Sequence, residues 1–164
     1  MEEWRKGLKN KPFNYWIRDE MEAIIKEKNI DRSRFHEYSK SNYYEVIKAF
    51  YYTFVDYENH PEISLAYCWL HFREKLRKTE LANELSDDWP LLLKKIKIWV
   101  SNSKDKEFYL ILSQGWVYEG YIDEIISVLN ETDGLLEDFY IVSPKYEWFI
   151  FYCDDGGYVC HFCK

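Results

Sequence analysis

Over the first hundred residues the apolar positions recur every three to four residues; beyond that they run together in short blocks. Phe13, Ile17, Met21, Ile24 and Ile25 fall on one helical face, with Pro12 suited to a first turn and Asn29 to a stop. This spacing predicts a helix over about 12–28. Residues 30–42 are polar and aperiodic and read as a connecting loop. Asn42 and Glu45 have the spacing of a capping box before a segment over 43–57. Its apolar positions 43, 46, 47, 50, 51 and 54 fit a helix, although Tyr51 to Val55 would also suit a strand. From Pro61, the stripe Leu65, Trp69, Phe72 and Leu76 predicts a third helix to about Lys78. Asp88-Trp89-Pro90 then caps a fourth over about 90–100, with Leu92, Leu93, Ile96 and Trp99 inward.

The last third has a different rhythm. Phe108 to Leu112 is a short apolar run, as expected of a central strand, and Gln114-Gly115 breaks it. Tyr121, Ile122, Ile125, Ile126 and Leu129 predict a helix over about 120–130, followed by a turn at Asp133-Gly134. Phe139 to Val142, Tyr146 to Tyr152 and Tyr158 to Phe162 read as three strands. They are joined by turns at Ser143-Pro144-Lys145 and Asp154-Asp155-Gly156-Gly157. One helix cannot cover both faces of such a sheet, so the N-terminal helices must pack on it. The expectation is a single α+β domain over 1–164, helical to about 105, with a small, mainly antiparallel sheet from about 106.

Composition narrows the class. The 164 residues include seven Trp, fifteen Tyr and ten Phe, and only six Gly, which excludes collagen-like and disordered chains. No apolar run approaches the roughly 18–20 residues of a membrane span. The net charge of −7 is unevenly distributed: residues 115–164 hold ten acids against Lys145 and Lys164, a net of −8. Such a balance disfavours nucleic acid and favours a basic protein partner through electrostatic steering. Met1 to Lys6 has no apolar stretch of the signal-peptide kind, so a cytoplasmic setting with four reduced cysteines is expected.

Catalytic chemistry is poorly signposted. Cys153, Cys160, His161 and Cys163 are residue types that bind zinc. A hairpin turning at Asp155-Gly156, however, places Cys153 and Cys160 on one sheet face and His161 on the other. Strand packing is therefore the expected role, with no metal and no cofactor. There is no nucleophile elbow, no paired-histidine helix and no glycine-rich phosphate loop. What remains is aromatic and acidic: Trp116, Tyr118 and Tyr121 interleave with Glu119, Asp123 and Glu124. These six are the candidate partner-binding residues, Trp and Tyr being favoured interface anchors.

Phe108-Tyr109-Leu110-Ile111-Leu112, Trp116-Val117-Tyr118-Glu119-Gly120 and the hairpin Phe139 to Ile150 carry a resemblance. Over about residues 106–162 the chain resembles small bacterial proteins of the polymorphic-toxin immunity type, the SUKH-like group. It departs from them at Asp154-Asp155, where a His or Asn pair would follow the hairpin. The resemblance implies a non-enzymatic intracellular binding protein and carries no assigned functional residues. Two alternatives stand beside it. One is an enzyme with an acidic, metal-assisted site at Asp154 and Asp155; the other is a phage or mobile-element accessory protein that blocks a host factor.

Overall fold

A computed structural model describes Arg5 and residues 15–83, 87–155 and 158–164. Four α-helices and seven strands follow in the order α1 (Tyr15–Glu27), β1 (Phe35–Glu37), α2 (Tyr43–Phe54), β2 (Arg77–Asn83), α3 (Trp89–Ser101), β3 (Glu107–Leu112), β4 (Val117–Tyr121), α4 (Ile122–Asn130), β5 (Asp138–Val142), β6 (Trp148–Cys153) and β7 (Tyr158–Cys163). The strands form one sheet in the order β1-β4-β3-β5-β6-β7-β2, with every neighbouring pair antiparallel. This is the expected α+β class. Pro12 and Phe13, where the first helix was expected to begin, and Gly156-Gly157 of the last hairpin lie outside the described residues. Among the described residues no helix is long and apolar enough to cross a membrane.

Both edges of the sheet come from the stretch expected to be helical. Residues 30–42 are not all loop: Phe35, His36 and Glu37 pair with Gly120, Glu119 and Tyr118. Gly120 permits this approach, since a Cβ there would stand 2.3 Å from the Arg34 carbonyl oxygen. The expected third helix over 61–78 is instead a short 3-10 segment, Leu65–His71, followed by β2. Only Leu65 and Cys68, three apart, are fully buried in that segment, which matches the tighter 3-10 period. Phe72 then leaves the turn and bridges Val55. As an exposed edge with the sequence RKTELAN, β2 has no apolar alternation by which to announce itself. A further strand, β4, precedes the helix expected over about 120–130. Asn42 makes no side-chain cap; the Ser39 hydroxyl instead accepts the Asn42 N–H at 3.2 Å.

Two cores sandwich the sheet. On the first face α1, α3 and α4 pack over Leu110, Leu112, Phe139, Ile141, Ile150 and Tyr152. Asp88 caps α3 by accepting the Leu91 N–H at 2.9 Å, and the Trp89 indole donates to the Leu129 carbonyl of α4 at 2.9 Å. On the second face α2 and the 3-10 turn pack over Ile111, Tyr140, Val142, Phe149, Phe151 and Phe162. That core is aromatic: the Phe50 ring lies 4.9 Å from Tyr140 and 5.2 Å from Phe149. The Cys68 thiol is sealed in it, 3.4 Å from the Tyr140 hydroxyl, and burial pushes it up to about 12, which makes it inert.

Candidate partner-binding surface

Trp116 immediately precedes β4, and β4 with the first turn of α4 holds the other five expected docking residues, but strand alternation divides them. Trp116 and Tyr118 point to the first face and are buried, at 4% and 0% exposure. The Tyr118 ring stacks on Phe35 at 5.2 Å, and its hydroxyl donates to Glu22 of α1 at 3.4 Å. Neither is a surface anchor. The reason is period 2: neighbouring strand residues face opposite ways, and the first face here is closed by a helix. Glu119 and Tyr121 point to the second face and are half-buried, while Asp123 is exposed and Glu124 half-buried.

Several acids are also already engaged. Asp123 lies 2.8 Å from Lys97 and Glu131 2.8 Å from Lys28, whereas Glu119 lies 3.7 Å from His36, an ion pair only when that imidazole is protonated. Glu124 receives both the Nε and an Nη of Arg34, whose guanidinium lies over the Tyr121 ring, 4.0 Å from its centroid. The acid-rich last third is thus folded against cations from earlier in the chain. Its charge is segregated along the sequence, and among the described residues Asp123, Glu124 and Glu131 are paired in space with Lys97, Arg34 and Lys28.

A different surface emerges around Glu119. The second face is closed at Ile111 and Val117 but opens toward Glu107, Tyr109, Glu119 and Tyr121. Tyr109 sits at the centre, with Tyr38 edge-on at 5.6 Å and Tyr146 stacked at 6.0 Å. Burial raises the pKa of Tyr109, Tyr146 and Glu119. The phenols therefore stay protonated as donors at neutral pH, while partial desolvation strengthens the pull of Glu119 on any cation that reaches it. Tyr146 occupies this position at φ 53°, a left-handed conformation costing roughly 1–2 kcal/mol for a side-chain-bearing residue. Ser143 holds the turn, its hydroxyl accepting the Glu147 and Trp148 N–H groups at 2.9 and 3.1 Å.

A second cluster lies at the far end of the same face. Ligand atoms of Asp138, Cys153 and Asp154 fall within 4.8 Å of one another. Burial pushes Asp138 up to about 7; Asp154, Glu137 and Asp155 push in the same direction, and a hydrogen bond with Cys153 opposes them. The oxygen–oxygen–sulfur set could hold a divalent cation once its carboxyl is ionised. The cysteine–histidine group near the C-terminus is divided as alternation requires. Cys153 and Cys160 belong to the second core, whereas His161 lies on the first face, 5.0 Å from Trp99 and 5.7 Å from Trp148.

The tyrosine face was hidden in the sequence because its parts fall in four elements: Tyr38 after β1, Tyr109 on β3, Glu119 on β4 and Tyr146 in a turn. One local signal was available, the alternation Tyr109-x-Ile111 and Val117-x-Glu119, in which each strand turns polar at one end.

Residues 14–162 match the sequence model of a family of unknown function, DUF6756, and the chain belongs to that family. No curated protein and no solved structure matches it.

Proposed function

We propose that this DUF6756 member is a non-catalytic binding protein of the cytoplasm, an immunity protein or similar antagonist, that docks a basic protein partner on the tyrosine face around Glu119. One observation carries the reading. Tyr38, Tyr109 and Tyr146 form a contiguous half-buried ring cluster beside a desolvated carboxylate, with Tyr146 held there at a backbone cost. Rigid tyrosines offer large contact area at low entropic cost, and a carboxylate among them selects a Lys or Arg of the partner. Trp116 and Tyr118, being core residues, have no part in it.

A second reading, an acidic metal-assisted site, draws support from the Asp138–Cys153–Asp154 cluster. Elemental analysis of the purified protein separates the two, since the docking role needs no bound ion. The direct test of docking is affinity capture from the source cells, using the unmodified protein and its Tyr109→Ala and Glu119→Lys variants. The expected outcome is a basic protein retained by the first and lost by both variants. A partner retained equally by all three would overturn the reading.

A further inference from the structure

Past the end of α3 the first face of the sheet is only partly covered. Register fixes what lies there: Ile150 pairs with His161 and Trp148 with Cys163, so Trp148 and His161 share that face in neighbouring rows. Ile96 and Val100 of α3 are sealed against it, whereas Trp99 stands at the rim, 38% exposed. The helix stops at Asn102, whose backbone N–H donates to the Trp99 carbonyl at 3.2 Å. Trp99, Asn102, Ser103, Trp148 and His161 line a cleft of about 300 Å³. The imidazole meets both indoles, 5.0 Å from Trp99 and 5.7 Å from Trp148.

The polar groups of this cleft are largely unspent. Among the described residues the His161 ring nitrogens, the Asn102 carboxamide and the indole N–H groups of Trp99 and Trp148 have no protein hydrogen-bond partner. Ser103 is the exception: its hydroxyl donates to Asp105 at 3.3 Å and accepts the Asp105 N–H at 3.1 Å, which fixes the turn after α3. Burial, with the Arg77 guanidinium in range, lowers the His161 pKa. At neutral pH the ring is therefore uncharged and offers one donor and one acceptor.

We propose that this cleft binds a small, uncharged, planar heteroaromatic molecule of the nucleobase kind, its ring face against Trp99 and Trp148 and its polar edge on His161 and Asn102. Aromatic walls with a few converging polar groups are the usual make-up of a ligand site. A volume of about 300 Å³ is the small end of the range for such sites and suits one or two rings. Stacking on an indole accepts any π-face. The imidazole and the carboxamide add donors and acceptors for an edge that carries both. A plain hydrocarbon ring would leave those groups without partners. A cation would also be drawn to the indoles. Among the described residues, however, no carboxylate lines the cleft to replace the water a cation would lose. Arg77, which acts on His161, and Asp105, bonded to Ser103, are opposite in sign and select no charge. The cleft and the tyrosine cluster lie on opposite faces of the sheet, and either proposal can fail without the other.

The probes are adenine, hypoxanthine, uracil and nicotinamide, titrated into the full chain. Toluene tests an apolar ring, 2-piperidone a saturated ring with an amide edge, and tetramethylammonium a cation. The readout is the pair of indole N–H signals of Trp99 and Trp148 in a proton–nitrogen spectrum, assigned from Trp99→Phe and Trp148→Phe. At least one heteroaromatic probe should shift both signals and bind at least tenfold tighter than each of the three controls. His161→Leu and Asn102→Ala should each weaken that probe at least fivefold. Asn102 is exposed, so its truncation keeps the test sound even where His161→Leu disturbs packing. The proposal is overturned if no heteroaromatic probe shifts both signals up to its solubility limit, if a control binds as tightly, or if Asn102→Ala leaves the affinity unchanged. A single-stranded oligoadenylate that binds at least tenfold tighter than adenine would make the occupant a nucleic acid strand and equally overturn it.

Discussion

The β1–β4–β3 end of the sheet carries similar side chains on its two faces and puts them to different uses. On the first face Tyr118 and Phe35 are covered by α1, whose Arg18 and Glu22 turn inward to meet Glu37 and Tyr118. On the second face Tyr109, Tyr38, His36 and Glu119 have the same chemistry but only partial cover. One residue type gives a sealed core on one side and a half-buried, accessible face on the other. Whether a helix lies above, not the residue itself, decides between them.

The largest effect should separate the two faces. Tyr118→Ala opens a cavity under α1 and should cost about 3–5 kcal/mol, measured as a loss in the denaturant midpoint. Tyr109→Ala on the opposite face should cost about 1 kcal/mol or less, its ring being half-exposed. Equal costs would break the comparison. Gly120→Val drives a side chain into the backbone of β1 and should cost several kcal/mol, as expected of backbone overpacking. It should also release the His36–Glu119 pair, seen as faster amide exchange at residues 35–37.

On the second face, Asp138 makes stability depend on pH. Folded Asp138 keeps its proton to about 7 instead of the ordinary 3.8. Between those values the folded state binds more protons than the unfolded one, so this residue's contribution to stability falls as pH rises through that window and levels off above it. Asp138→Asn should flatten the profile, and the variant should be the more stable protein above pH 7, in unfolding curves taken at pH 5, 6, 7 and 8. A parallel profile for the variant would remove Asp138 as the cause. The smallest effect is at the α3 cap, where Asp88→Ala should cost about 1 kcal/mol and leave both faces unchanged.

Legibility in the sequence followed burial. β3, β5, β6 and β7 were readable because they lie in the middle of the sheet and their apolar runs record burial on both faces. The capped helix α3 was readable through Asp88 and Pro90. The two edge strands were not: β1 is three residues long and depends on Gly120 for its approach, and β2 is mostly charged. The expected docking residues fall on both faces. Glu119 and Tyr121 lie on the open face, whereas Trp116 and Tyr118 pack in the core, a distinction that rests on which face α1 covers. The ion pairing of the acidic third was illegible for a related reason. Its ion pairs join residues far apart in the chain, such as Arg34 and Glu124, ninety positions apart, and Lys28 and Glu131, and a running charge count cannot register them.

The most direct test is the dissociation rate of the captured partner from Tyr109→Ala and from Asp123→Lys. Tyr109 is the centre of the ring cluster, and its truncation should speed release by about thirtyfold, equivalent to about 2 kcal/mol for a hot-spot tyrosine. Asp123 is already paired with Lys97 and lies off the cluster, so its reversal should leave the rate within about twofold. The reverse order, with Tyr109→Ala silent and Asp123→Lys releasing the partner, would contradict the tyrosine face and return docking to the first turn of α4.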